Sequence, residues 1–255
     1  LAVGMATCIL IMLWVQDELS FDRFHQDADH IYRLCHELTL GGSTRDIATG
    51  SDPMAPVIQA DCPEVAAITR IKSESRTEIV YGNSRFFEEN ILYADSQFFS
   101  VFTFPLIQGD PRTALARAHS VVITQEIARK YFGDQDPLGK TLGSWGSEYT
   151  VTGVIDTIPS NSHLSFDFLL SYRSLHNAEG NDWWRWANLN VFTYMRVAPD
   201  AGVESLGGKV ASVIYENMGK KIEKRRGNSL RAYLQPLTKI HLYSDYQEEI
   251  GTRQG

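Results

Sequence analysis

Cysteine is scarce: the 255 residues hold three, Cys8, Cys35 and Cys62. No disulfide framework follows, because a chain of this size can bury a core without staples. Cys8 lies in an apolar run, so only Cys35 and Cys62 could pair, and two buried free thiols are expected in preference to that bridge. Positive charge is also short, with 24 Lys and Arg against 31 Asp and Glu, a net charge of −7. A nucleic-acid binder needs a broad cationic face, so that class is set aside. The densest basic stretch, Lys220-Lys221-Ile222-Glu223-Lys224-Arg225-Arg226, closes a helical pattern, where cations complement the helix dipole. An anionic partner or lipid headgroup is its sharper alternative.

Chemistry-bearing motifs are missing too. Residues 133–141 (GDQDPLGKT) look like a phosphate loop, but five residues separate the glycines where four are required, and the segment follows a helix instead of opening one. A turn is expected there. His25, His30 and His36 crowd together beside Cys35, yet their spacings put them on no common helical face, so no metal site is expected. The acidic residues Asp17, Glu18, Asp22, Asp27 and Asp29 lack the glycine turn and ligand period of a calcium loop and read as a solvated face. No Gly-x-Ser-x-Gly elbow is present, and no cysteine has a histidine partner in sight. Ser160-Asn161-Ser162-His163 reads as a polar turn. Trp183, Trp184 and Trp186 could stack a ligand or touch a membrane interface, with packing at the base of the domain the commoner outcome. Catalytic, cofactor-binding and metal-binding residues are therefore expected to be none, and no cofactor is implied.

What is present is an apolar run at residues 1–15 (LAVGMATCILIMLWV), from Leu1 to Val15, followed at once by QDELSFDRFHQDADHIYRL. At 1.5 Å per residue, fifteen helical residues cover about 22 Å, short of the ~30 Å hydrocarbon core. The run reads as the outer half of a membrane-spanning helix in contact with lipid. A signal-peptide core and a buried core helix are the alternatives, the first lacking a basic flank and a cleavage site. Between Gln16 and Leu34 five acidic residues outnumber Arg23 and Arg33, which puts this flank outside the cytoplasm.

Along the chain, the spacing of Leu19, Phe24, Ala28 and Ile31 extends the first helix outward as an amphipathic stalk to about His30. A strand at 31–40, a helix at 53–60 with Asp52 as N-cap, and a strand at 65–75 make one β-α-β unit. A strand at 190–197, a helix over 201–226 closed by Gly227-Asn228, and a strand at 230–234 make a second. Two such units suggest an α+β fold of the ferredoxin-like kind, one sheet with helices on one face. Between them, residues 77–165 read as an inserted subdomain with its own small core. It holds a hairpin turning at Gly82-Asn83-Ser84, a short helix at 96–102, a strand at 121–123, a helix capped by Thr124 and ended by Gly133, and a strand at 149–156. Strand 166–172 is expected to rejoin the first sheet, and 181–186 (NDWWRW) reads as a loop.

Four ordered segments carry a resemblance: DELSFDRFHQDADHIYRL (17–34), ADSQFFSVFTFPLIQGDPRTAL (94–115), VVITQEIARKYFGDQDPLGKTL (121–142) and YTVTGVIDTIPSNSHLSFDFLLS (149–171). Together they resemble the periplasmic core domain of MacB/FtsX-type ABC transporter permeases, in the form found in Bacteroidetes-like bacteria. The resemblance implies a porter-like, ferredoxin-like subdomain in two halves (31–76 and 166–245) around the inserted smaller α+β subdomain (77–165). The end of the membrane helix and a stalk (1–30) would precede it, and a return linker toward the next membrane helix (246–255) would follow. It implies a non-catalytic extracytoplasmic domain at the bacterial inner membrane, on the periplasmic side. Its partners would be a cytoplasmic ABC ATPase, a second permease copy forming a dimer, and in some relatives a periplasmic adaptor protein. ATP hydrolysis below would drive periplasmic movement above, for efflux or extraction of a substrate. A membrane-tethered sensor or ligand-binding ectodomain, using the loop around Trp183, is the alternative reading. With a helix unbroken to His30 acting as a lever, Phe21→Pro is expected to cost about 3 kcal/mol and to uncouple the domain.

Overall fold

The structure is a computed structural model that describes residues 2–175, 183–244, 246 and 250. Helix α1 (Ala2–Glu18) stands clear of the rest, its apolar side chains exposed from 40% at Val15 to 81% at Val3. At seventeen residues it measures about 25 Å. Among the described residues no helix is long and apolar enough to cross a membrane.

The helix does not run on to His30, and this corrects the continuous lever expected above. Asp17 and Glu18 put negative charge at the helix carboxyl end, where it opposes the dipole, and no basic residue lies in the last turn. The Ser20 hydroxyl and backbone N–H both bond back to the Asp17 carbonyl, at 2.7 and 2.9 Å, tightening the chain into a turn. Asp22 then takes φ +59°, a left-handed conformation that ends any helix. Residues 19–27 are turns, and a 3₁₀ segment (Ala28–His30) leads into the head.

There the chain runs β1 (Ile31–Leu40), β2 (Ser43–Ile47), β3 (Thr49–Ser51), α2 (Met54–Asp61) and β4 (Val65–Glu74). Next come β5 (Thr77–Tyr81), β6 (Ser84–Glu88), β7 (Ile91–Ala94), α3 (Phe98–Val101), β8 (Leu106–Gly109), β9 (Ser120–Thr124), α4 (Gln125–Phe132), β10 (Thr141–Ser144) and β11 (Ser147–Ile155). The last stretch holds β12 (Phe168–Ser171), α5 (Trp183–Ala187), β13 (Leu189–Val197) and α6 (Val203–Ile214). A π-turn (Tyr215–Gly219) carries α6 into α7 (Lys220–Ile222); β14 (Ser229–Pro236) and α8 (Ile240–Tyr243) follow.

The two β-α-β units come together as expected. Strands β1, β4, β13 and β14 lie side by side in the order β14-β1-β13-β4, every neighbour antiparallel, with α2 and α6 as the connecting helices. That is the ferredoxin-like order. Leu34, Leu38, Met195 and Val197 point to one face and pack on Ile58, Leu206, Val210 and Ile214 of the helices. The other face is covered as well, a departure from the one-sided sheet expected. Ile31, Ile71 and Tyr194 pack there against Phe98, Phe102, Phe104 and Phe166. The first six residues of β1 are all buried, as a strand covered on both faces must be.

The order continues without a break: β4-β7-β12-β9-β11-β10-β5-β6. Strand β12 pairs in parallel with β7 and antiparallel with β9, so residues 168–171 lie among the strands of the insert, where a return to the strands of the first unit was expected. Its alternation showed a strand, but four buried residues carry no mark of which neighbour they meet. Helix α4 has the ends its sequence announces: the Thr124 hydroxyl accepts the Ile127 N–H at 3.4 Å, and Gly133 closes it at φ +60°. Asp52, in contrast, does not cap α2; it is drawn into an ion network described below.

Strand β8 ends at Gly109, φ +96°, where a Cβ would lie 2.5 Å from the Thr152 carbonyl oxygen and 2.9 Å from Gly153 Cα. Gly109→Ala is expected to destabilise the domain by about 1–3 kcal/mol, through strain and loss of the β8–β11 pairing. A urea-unfolding midpoint equal to that of the parent would contradict this.

Candidate functional site at the foot of the head

The turn after α1 is built into the head by buried polar contacts. The Asp22 N–H donates to the Asn161 carbonyl at 2.8 Å, and the Asn161 amide donates to the Ser20 carbonyl and hydroxyl at 3.1 and 3.0 Å. Asp22 is fully buried. Its Oδ1 accepts the His163 backbone N–H at 3.1 Å and lies 2.8 Å from His163 Nδ1. On the far side of that ring, His163 Nε2 is 3.0 Å from the Tyr194 hydroxyl, in the middle of β13. Among the described residues only Oδ1 of this buried carboxylate accepts a hydrogen bond, and through it and the His163 ring the exit of α1 is connected to a central strand.

Around this chain of contacts the turn is pinned at further points. His25, 2% exposed, accepts the Thr103 N–H on Nδ1 at 3.0 Å and sits among the rings of Phe24, Phe102 and Phe104. Burial holds its pKa down at about 4, against the pull of the Asp22 charge. Arg196 of β13 reaches Asp27 at 3.2 Å and the Ser100 carbonyl at 2.8 Å. The Phe21 ring stacks on His241 of α8 at 3.4 Å between centroids, and His241 Nε2 lies 2.7 Å from Glu18 Oε2 at the end of α1.

A half-buried network joins the ferredoxin-like strands to the insert. Arg70 on β4 makes a two-pronged contact with Asp95, 2.8 Å on each prong, and reaches Asp52 at 2.7 Å. Its guanidinium lies 4.1 Å from the centre of the Tyr172 ring, whose hydroxyl donates to Asp52 at 2.8 Å. Arg185 of α5 completes the set at 2.5 Å from Asp52. Burial opposes ionisation of Asp52, but the Arg185 and Tyr172 hydrogen bonds and the Arg70 charge hold its carboxyl below the usual range. Burial and the neighbouring Asp52 push the Tyr172 phenol up.

The residues weighed in the sequence fall as follows. His25, His30 and His36 do not converge: His25 is in the junction, His30 ends the 3₁₀ turn, and His36 is buried in β1. Among the described residues no three His, Cys, Asp or Glu side chains are grouped closely enough to hold a metal. Asp22 and Asp27 are not a solvated face; they belong to the junction. Residues 133–141 form a turn in which Leu138 N–H bonds Asp136 and Lys140 bonds Gln135. Cys35 and Cys62 are buried and in no disulfide, the Cys35 thiol donating to the Gln235 side chain at 3.4 Å, and Cys8 is exposed. The loop expected at 181–186 is partly helical, in α5; residues 181 and 182 and the side chains of Trp183 and Trp184 lie outside the described residues, while Trp186 is 2% exposed in the core. The basic run at 220–226 follows α6, and the Asn228 side chain accepts the Gly41 N–H at the far end of β1, opposite the end that α1 enters. That position argues against a headgroup of the membrane holding α1. Asn161, His163 and Tyr194 were missed as members of a site. No local pattern marks them, since Asp22 and His163 are 141 residues apart.

Comparison with known proteins places this architecture. The family model described as MacB-like periplasmic core domain matches residues 1–213. A domain of a putative permease protein from Porphyromonas gingivalis superposes with a TM-score of 0.69 at 26% identity, over 83% of this chain and 91% of that one. The periplasmic region of MacB from Actinobacillus actinomycetemcomitans gives 0.57 at 15% identity, over 84% and 91%. The extracellular domain of the noncanonic ABC-type transporter YknZ from Gram-positive bacteria gives 0.55 at 14%, over 80% and 99%; these last two share the fold. No curated protein matches the chain. The family model spans well over half of these 255 residues, and the chain belongs to the family of MacB-like periplasmic core domains of ABC transporter permeases.

Proposed function

We propose that this domain is the moving head of its permease and that the buried junction at Asp22 is where movement enters it. A cytoplasmic ABC ATPase would supply the force, a second permease copy would complete a dimer, and α1 would lie in the lipid of the bacterial inner membrane with the head on the periplasmic side. The output is mechanical: export or extraction of a substrate, with a periplasmic adaptor as a further partner. The proposed division has residues 31–76 and 166–245 as the porter-like part and 77–165 as the insert, with β12 assigned to the insert on its pairing.

One observation carries this reading. The chain leaving α1 is tied through Asp22 and His163 to Tyr194 in a central strand, so displacement of the helix end reaches the sheet through short, buried contacts. Stiffness comes from the clasp and not from a helix that continues. Phe21 is already in a turn, so a proline there would interrupt no helix. The better test is Asp22→Ala in the assembled transporter, with spin labels on the head. Addition of ATP should shift the label distances in the parent. In the variant the shift should fall by about tenfold in equilibrium terms, about 1.4 kcal/mol of coupling, while ATP hydrolysis persists. An undiminished shift in a folded variant rules the junction out.

A further inference from the structure

Beside the exit of α1 the head carries apolar side chains that none of its described residues covers. Leu19 is 53% exposed, Leu242 41% and Tyr243 71%. They share one level of the molecule, because α8 is fixed against the last turn of α1 by the His241–Glu18 contact and the Phe21–His241 stack. Helix α8 is two-sided: Ile240 is 4% exposed in the head core, while Leu242 and Tyr243 face out. The surface is continuous with the exposed apolar side of α1, where Trp14, 63% exposed, lies one helical turn before Glu18, about 6 Å along the axis. Trp and Tyr at such a spacing beside an apolar rod are the residues that settle at a bilayer–water boundary. Asp17 and Glu18 at the same level keep the surface out of the hydrocarbon core.

We propose that Leu19, Leu242 and Tyr243 form a ledge that rests in the headgroup region of the lipid leaflet, so that the head is seated on the membrane and not hung from α1 alone. The proposal rests on the reading of α1 as a membrane helix. A seated head would resist tilting, and movement of α1 would have to lift or slide the ledge.

The test uses the 255-residue chain in vesicles of phosphatidylethanolamine and phosphatidylglycerol, with an environment-sensitive dye on one cysteine at a time. The native Cys8 reports on α1. Cys8→Ser combined with Tyr243→Cys reports on the ledge. Cys8→Ser combined with Leu40→Cys reports on the far end of β1, where Leu40 is 45% exposed. Cys35 and Cys62 are buried and should not label in the folded protein. With a nitroxide carried near the headgroup end of the lipid chains, the dye at 8 should be quenched, and the dye at 243 should be quenched at least about twofold more than that at 40 and shielded from aqueous iodide. Quenching at 8 with position 243 behaving like 40 overturns the ledge and leaves the membrane helix standing. Shielding from iodide at 243 without lipid quenching means that protein covers the surface, which also overturns it. No quenching at 8 removes the membrane helix and the ledge together.

Discussion

Replacing Arg70 by alanine is expected to lower the unfolding free energy of the domain by about 3 kcal/mol, the range seen when one member of a buried ion pair is removed. The guanidinium holds Asp95 with two bonds and Asp52 with a third while covering the Tyr172 ring. Without it, two carboxylates remain in a partly dry site, and only the Arg185 charge and the Tyr172 hydroxyl answer Asp52. Arg70→Lys should recover only part of the loss, because an ammonium cannot fork onto Asp95. The double variant with Asp95→Ala should lose less than the sum of the two single variants. Urea unfolding in detergent reads all three. A loss below about 1 kcal/mol for Arg70→Ala would mean that water already screens these charges.

Acid should weaken the fold through two buried histidines. Burial lowers the pKa of both His25 and His36 to about 4, well under the ordinary imidazole value of about 6.5. In the unfolded chain both titrate near that ordinary value, so between the two pKa values the unfolded state binds more protons. Stability is therefore complete above pH ~6.5 and falls as pH drops toward 4, by about 3 kcal/mol per histidine at the lower limit. His25→Gln keeps an acceptor for the Thr103 N–H and should remove one proton's share of the slope. Unfolding curves for parent and variant across this window decide it. Equal slopes would show that His25 is not titrating on unfolding.

Much of the fold was legible because its signals are local. Strand Ile31–Leu40 was expected with the bounds it has, α4 was marked by Thr124 and Gly133, and the two β-α-β units took the ferredoxin-like order expected of them. What escaped was set by partners distant in sequence. Helical spacing from Leu19 to Ile31 suggested a longer helix, but Asp22 has a stronger claim on it through Asn161 and His163. Asp52 had the residue type and position of a cap, yet Arg70 and Arg185 outbid the helix amides for its oxygens. The short strands β2, β3, β8 and β10 add to a sheet already formed and carry little pattern of their own. Of the candidate site, the sequence showed the motif holding Asp22 and the motif holding His163, but not that they meet.

The uninterrupted ladder has a consequence for how such a head can work. Between β4 and β7 the two parts are stitched at four residue pairs, from Ile71 with Ala94 to Glu74 with Ile91. A clamshell needs a pliable crossing, and here a strand ladder spans the seam in addition to the chain itself. Opening the head along that seam would mean unzipping main-chain bonds, so moving it as one body costs less than parting it.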